Sequence, residues 1–481
     1  MAGGGEISTV MSRNPDGLDD PDAPPSNKLS PGEWVKKNLF SSVFNSIITV
    51  VVGGLAILLA IFSVRWLLNN DYEILRRNVA NFMAGRFPRD ELWRLWASGY
   101  VLLFAVGLTT AALARSAHEL ALTQDLPTSK EPLSSLVRRF WAIIAIMVFF
   151  VSFARTVLPF IGLAVAFVVP LIGREVGWRL PTSLRRMAAF IGATLVVISV
   201  LIIAGTSNLG GVILGFIVFA WVATELGRRI VTPGLTGTIN RLGPALVAGI
   251  IVWFVVRSIG FEGFGWEDWG GIHITLFTAV VGIATGLPFG ILLALGRRSD
   301  LPVIKTASVI FIEFIRGVPL ISLLLASGLL LPFFLPVDLP RPADLTLAII
   351  VITMFSSAYI AEIVRGGLQA VPKGQTEAAQ ASGMSAFNVQ RLIVLPQALR
   401  AVIPAMVGQF IALFKDTSLL SIIGITEFLR VSDISNAQTD FVGRGLFGVT
   451  YLFVALGYWA FASTLSKESR RLEAKLGVGT R

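Results

Sequence analysis

Apolar residues recur along this chain in runs of about 20, the length a helix needs to cross a hydrocarbon core of roughly 30 Å. The runs fall near 42–64, 97–114, 140–154, 157–173, 187–205, 209–224, 244–260, 272–295, 306–333, 345–363, 397–414 and 445–464. They predict an all-α polytopic membrane protein with about twelve transmembrane helices. Very short turns join 140–154 to 157–173 and 187–205 to 209–224, so each pair is a tight hairpin or the count is off by one or two. Residues 1–34 hold Gly, Pro, Asp and Ser without apolar period and read as a disordered tail. They do not form a secretory signal, because the first apolar run starts some 40 residues in and no small-residue cleavage site follows it.

Charge adds orientation. With both termini cytoplasmic, 27 of the 40 Lys and Arg fall on cytoplasmic segments, as the positive-inside bias requires. Glu262, Glu267 and Asp268, with Trp266 and Trp269, fall at an outer surface. Residues 65–96 dissent, since they lie outside yet carry Arg65, Arg76, Arg77, Arg86, Arg89 and Arg94. Leu75, Val79, Phe82 and Met83 between them suit an amphipathic helix lying on the bilayer.

Composition closes off other classes. Of 481 residues, 54% are hydrophobic and 15% charged, too little polar surface for a water-soluble protein of this size. The absence of cysteine excludes disulfides and thiolate chemistry, and His118 and His273 alone cannot build a histidine-rich metal site. His273 reads as structural. The net charge of +10 is mostly orientation information, so no nucleic acid partner is implied.

The most informative polar stretch is 364–396, VRGGLQAVPKGQTEAAQASGMSAFNVQRLIVLP, between the runs at 345–363 and 397–414. TEAAQASG joins good helix formers to Gly383 as a stop, which predicts a short helix with small side chains open to a close-fitting partner. Glu377 can meet a basic or amide group there, and Pro396 falls in the first turn of the next span, where its missing donor costs little. No G-x-x-x-x-G-K-[ST] occurs, nor the dipeptide Gly-Lys, so the chain has no phosphate-cradling loop of its own.

Glu377-Ala378-Ala379, Gly383, Ile393 and Leu395-Pro396 fit EAA-x3-G-x9-I-x-L-P at every fixed position. That pattern resembles the signature loop of permease subunits of ABC-type importers. GGIHITLFTAVVGIATGLPFGILLALGRRS (270–299), IEFIRGVPLI (312–321), SAYIAEIVRGGLQAVPKGQ (357–375) and FKDTSLLSIIG (414–424) resemble the polar amino acid permeases. RGVPLI with LLPFFLP (330–336), and NLFSSVFN (38–45) with GRFPRDELWR (85–94), resemble most the general L-amino-acid permease of the larger "M" type. The resemblance is dense over about 260–465, patchier over 35–97, and absent from about 115 to 240.

It implies a C-terminal five-helix permease core at 261–466 with its cytoplasmic coupling loop at 364–396. Before the core come the first span and a periplasmic amphipathic segment (35–97), then additional, insertion-like helices (98–260); a basic cytoplasmic tail (467–481) follows it. In that frame Glu377, Ala378, Ala379 and Gly383 dock a separate ATPase, present in two copies, which binds ATP-Mg; this chain binds no cofactor or metal. A second permease chain and a periplasmic amino-acid-binding protein complete the expected system, in a bacterial inner membrane.

Polar groups at membrane depth are costly and mark functional candidates. Glu313 and Arg316 share one face of the 306–333 run, either as an internal ion pair in a helix kinked near Pro319 or as a pair lining the translocation path. Together with Gln409 they define a face expected to meet a central cavity. Glu362, three residues before Arg365, reads as an interfacial structural pair. Gln409, Lys415, Asp416, Thr417 and Ser418 stand at and beyond the outer end of 397–414, with Lys415 and Asp416 complementary to the two charges of an amino acid. The alternatives are an autonomous secondary transporter, for which the two halves show no repeat, and a membrane enzyme, for which HExxH and GxSxG are both missing.

Overall fold

The computed structural model describes residues 30–123, 132–185, scattered positions between 188 and 202, 268–334, 336 and 342–476. The tail at 1–29, the Trp266 surface and the expected spans at 209–224 and 244–260 lie outside the described residues, as does most of 187–205. The chain divides into two units, one ending at Asn70 and one starting at Asp71.

The first unit holds two helices. α1 (Pro31–Leu39) opens on a capping box, in which Ser30 Oγ accepts from the Glu33 N–H at 3.3 Å and Glu33 accepts from the Ser30 N–H at 3.0 Å. α2 (Val43–Asn69) starts on Ser42 as N-cap and buries none of its side chains. Its 27 residues reach about 40 Å, enough to cross a bilayer with some tilt.

The second unit is built of α3 (Glu73–Ala84), α4 (Leu92–Leu122), α5 (Leu133–Val151), α6 (Leu158–Arg179), α7 (Gly271–Arg297), α8 (Pro302–Gly317), α9 (Leu320–Leu325), α10 (Asp344–Ala370), α11 (Lys373–Ala381), α12 (Leu395–Asp416), α13 (Arg430–Asn436) and α14 (Phe447–Leu476). Among the described residues of both units, eight helices are long and apolar enough to cross a membrane, or nine if one bent pair is a single span. Every expected run that falls on described residues coincides with one of these.

α10 is the central helix. α7, α8 and α12 pack around it, and it buries residues on nearly every turn from Leu345 to Leu368. The α7–α10 contact is close because α7 turns glycines toward it. A Cβ on Gly286 would fall 2.6 Å from Ser356 Oγ, and one on Gly290 would fall 2.6 Å from Ile360 Cγ2 and 2.8 Å from the Ser357 carbonyl oxygen. Small residues at such positions let backbones approach where lipid supplies no hydrophobic drive between helices. The Thr285 and Thr353 hydroxyls bond across the same seam at 2.8 Å.

Two expectations are corrected. The run at 306–333 is not one continuous helix, because α8 and α9 meet at a bend of 102°. Val318 is extended (φ −107°, ψ 133°) and Pro319 follows; a proline disfavours the helical region for the residue before it, so the break falls there. The second correction concerns 65–96. α3 is amphipathic as expected, but its apolar face packs on protein rather than on the bilayer. Ile74, Leu75 and Phe82 are buried, and Phe82 meets Phe428 and Phe453 at 6.1 and 4.9 Å. Phe150 of α5 joins that cluster, 4.2 Å from Phe453 of α14.

Ion pairs gather at two ends. At the end opposite the 364–396 loop, Arg77 bridges Glu73 and Asp440 at 3.0 and 2.6 Å, Arg155 joins Glu73, and Arg444 reaches Asp71 at 2.8 Å. Of the arginines that dissent from the charge bias, Arg77 is paired here and Arg94 pairs with Glu91 at 2.9 Å, while Arg65, Arg76, Arg86 and Arg89 make no ion pair among the described residues. Groups predicted for the other side pair among themselves, Arg139 with Glu468 and Arg185 with Glu119.

The α7–α10 seam leads to a stability prediction. Gly290→Leu is expected to cost at least about 2 kcal/mol through overpacking against Ser357 and Ile360. Gly366→Ala, whose Cβ meets nothing within 4 Å, is expected to be neutral or mildly stabilising. Thermal melts of the two variants in detergent check the contrast.

Candidate functional site

The 364–396 loop has a definite architecture. α10 ends at Ala370, and α11 begins at Lys373 after Val371 and Pro372. α11 closes in a Schellman motif: the Gly383 N–H donates to Gln380 O at 2.9 Å and the Met384 N–H donates to Ala379 O at 3.2 Å. Gly383 takes φ +79°, the left-handed conformation that a Cβ penalises, and open space surrounds it. The chain then turns through Ala386–Val389 and a π-type turn at Gln390–Val394 into α12, where Pro396 sits in the first turn.

Exposure divides the expected docking residues. Glu377, Ala378 and Gly383 are exposed. Ala379 instead packs into the core beside Val389, Val394 and Ala398. Glu377 makes no ion pair among the described residues. Phe387, 46% exposed at the loop tip, went unnoticed in the sequence, although a lone aromatic in a small-residue polar loop is its own signal.

Charged residues at the same end converge. Arg297 at the end of α7 pairs with Glu313 of α8 at 2.8 Å and lies 3.6 Å from Glu362 of α10. Arg316 of α8 stands 3.5 Å from Glu362, which also pairs with Arg365. Glu313 and Arg316 therefore each pair with another helix, not with one another. Sequence spacing exposes the pairs within one helix but not Arg297, whose place depends on the α7–α8–α10 packing.

The second group of candidates lies toward the opposite end. Gln409 is half-buried on α12, Lys415 is exposed and Asp416 half-buried, and none of the three is hydrogen-bonded or ion-paired to another side chain among the described residues. Thr417 is fully buried and donates to Phe414 O at 2.6 Å. Ser418 is half-buried in the 3-10 turn Thr417–Ile423, which Gly424 closes at φ +86°. No hydrogen bond or ion pair among the described residues joins this group to Glu313 or Arg316.

Glu427, just beyond that turn, was missed. It is fully buried, and its carboxylate accepts the Leu429 and Arg430 N–H groups at 2.8 and 2.6 Å, capping α13, and the Tyr458 hydroxyl at 3.2 Å. Burial pushes its pKa up to about 7, against the partial offset of those three donors. An acid three residues ahead of a helix is a capping signal that the sequence did contain.

A family described as "Binding-protein-dependent transport system inner membrane component" matches residues 286–466. "Inner membrane amino-acid ABC transporter permease protein YhdY" of Escherichia coli is 45% identical over 49% of this chain and 64% of its own length. "Glutamate/glutamine/aspartate/asparagine transport system permease protein BztC" of Rhodobacter capsulatus is 46% identical over 44% of this chain and 48% of its own. "Probable glutamine ABC transporter permease protein GlnP" of Bacillus subtilis is 36% identical over 43% of this chain and 92% of its own. The chain belongs to this family of binding-protein-dependent inner membrane transport components. It spans about two thirds of the first of these relatives and about half of the second. As a member, it carries the family's matched region from within α7 to within α14, including the loop and both charged groups.

Glu427 generates a pH prediction. A carboxyl whose folded pKa is raised is stabilising below its unfolded value and loses that contribution as pH rises through the folded one. The protein is expected to lose up to about 3 kcal/mol between pH 4.5 and 7 from this group. Thermal melts at pH 5 and 8 should differ less in Glu427→Gln than in the unsubstituted chain.

Proposed function

We propose that this chain is the membrane-spanning permease subunit of an ATP-driven importer of L-amino acids, coupled through the 364–396 loop to a separate ATPase. One observation carries the reading: in a member of this family, α11 ends on Gly383 with Glu377, Ala378 and Gly383 exposed and Glu377 unpaired among the described residues. A short helix with small exposed side chains is a surface that a groove can cover closely. Glu377 supplies one charge for a basic or amide partner, and Phe387 adds an apolar anchor of the kind that dominates binding energy. The names of the relatives, amino-acid and glutamine permeases among them, support the substrate class.

The proposal extends to the assembly. Two ATPase copies binding ATP-Mg, a second permease chain and a periplasmic amino-acid-binding protein complete it, with both termini of this chain cytoplasmic and the loop facing the ATPase. On the substrate path, Gln409, Lys415, Asp416 and Ser418 offer amide, ammonium, carboxylate and hydroxyl groups. Lys415 suits the carboxylate of an amino acid and Asp416 its ammonium. Thr417 supports this segment from its buried position.

The decisive test is purification of the tagged chain from its own membrane, with assay of ATP-dependent amino acid uptake after reconstitution. A nucleotide-binding subunit is expected to accompany it. Uptake without any such subunit would favour a secondary transporter. Gly383→Leu is expected to cost the permease itself only about 1–2 kcal/mol for its left-handed backbone. It should nevertheless lower uptake at least about tenfold by obstructing the docking surface. Gly383→Asn, which tolerates that backbone, should retain most activity, and equal uptake by all three forms would refute the docking role. For the path, Lys415→Gln and Asp416→Asn should each lower kcat/KM for uptake about tenfold or more with ATPase association intact, as loss of a charge-assisted bond predicts.

A further inference from the structure

We propose that Glu362 is a positioning residue for coupled transport, tying the helix that leads into the 364–396 loop to the break between α8 and α9. This rests on the import reading above and assigns a role to a residue that it leaves unused.

Glu362 lies on α10, eight residues before that helix ends at Ala370 and eleven before α11 begins at Lys373. Its carboxylate meets cations from three helices: Arg365 on α10 itself, Arg316 on α8 at 3.5 Å and Arg297 on α7 at 3.6 Å. An interfacial pair within one helix would need only Arg365. The convergence of two further helices on the same group makes it a hub, with Glu313 on Arg297 as the second acid of the cluster. Three guanidiniums face two carboxylates, so removing the charge of Glu362 leaves the cations opposed mainly to one another.

Arg316 stands where the hub meets the break. It is one residue from the end of α8 at Gly317, and the extended Val318 and Pro319 follow. Its Nε has no hydrogen-bond partner, and its guanidinium rests over the Tyr359 ring at 5.6 Å. Tyr359 and Glu362 both belong to α10, so the side-chain ties of Arg316 all run to that helix. A Cβ at Gly317 would meet nothing within 4 Å, so the turn itself has room, while Ile315 before it and Leu320 after it are buried against α10. A pull on α11 that shifts the end of α10 therefore moves Glu362, and through Arg316 it moves the end of α8 and the bend.

The test uses the complete transporter in proteoliposomes and reads amino acid taken up per ATP hydrolysed. Glu362→Gln keeps size and one acceptor while removing charge. It is expected to lower that ratio at least about tenfold while hydrolysis stays within about twofold. Glu362→Asp should recover part of the ratio. An unchanged ratio overturns the proposal, and so does a proportional fall of uptake, hydrolysis and assembled complex, the signature of a purely structural staple. If Glu362→Gln does not assemble, Arg316→Gln decides in the same way, since it leaves Glu362 paired with Arg365 and Arg297.

A second readout needs no transport. The chain has no cysteine, so Leu320→Cys introduces a unique label site that is buried beside the bend and gains access only as the bend loosens. Maleimide labelling there should quicken at least about fivefold when Glu362→Gln is added, and an unchanged rate overturns the tie. Absence of ATP-driven uptake by the unsubstituted transporter would count against the import reading alone, because the labelling rate still judges Glu362.

Discussion

The contact between α7 and α10 is the constraint on which the rest of this molecule depends. Inside a bilayer each helix satisfies its own backbone, and lipid is as apolar as leucine, so burial of side chains gives little reason for two helices to associate. What remains is close van der Waals contact, and that requires backbones to approach. Gly286 and Gly290 allow it, and the Thr285–Thr353 hydroxyl pair fixes the register along the seam. With α10 held, α12 closes on its other side through Gly367, where a Cβ would fall 2.5 Å from Val402. The loop that α10 and α12 bracket then has fixed ends, and α11 is pinned between them by Ala379.

The same accounting explains how far the sequence could be read. Span positions follow from apolar length alone, because a helix is one of the few structures that can cross lipid. The stop at Gly383 was equally legible, since a glycine after a run of helix formers has a local cause and a local effect. The bend at Val318–Pro319 was half legible. A proline marks a weak point, but whether the helix kinks or turns through 102° depends on what the two segments pack against. The hub at Glu362 was not legible. Arg297 is 65 residues away in sequence, and only the α7–α8–α10 packing brings it within reach.

The arginine-rich segment at 65–96 meets the charge rule with a specific structure that answers it only in part. Charge bias describes loops whose cations are free in water. Here Arg77, Arg94, Arg155 and Arg444 are paired, and the aromatic cluster of Phe82, Phe150, Phe428 and Phe453 takes up the apolar side of α3. Each exposed pair is worth little alone. Within the segment they neutralise Arg77 and Arg94 and leave Arg65, Arg76, Arg86 and Arg89 without an ion pair among the described residues, so the excess of positive charge there persists. The cluster also joins α5, from the stretch without family motifs, to α14 of the matched region, and Arg139–Glu468 repeats that tie at the other end. α5 is thus docked against α14 of the matched region at two separate points.

Rigidity and freedom are distributed unevenly, and their distribution bears on how force could travel. The α7–α10 and α10–α12 contacts are too close to slide without clashes between backbone and side chain. Between α8 and α9 the backbone is looser: Gly317 stands in open space and Val318 is outside the helical ladder, while Ile315 and Leu320 on either side are buried against α10 and Arg316 is held by charge across 3.5 Å. In the coupling proposed for Glu362, a displacement entering at α11 is carried by the stiff part and taken up at the first compliant point. Because electrostatic ties tolerate small changes of distance and packed glycine seams do not, that point is the α8–α9 bend.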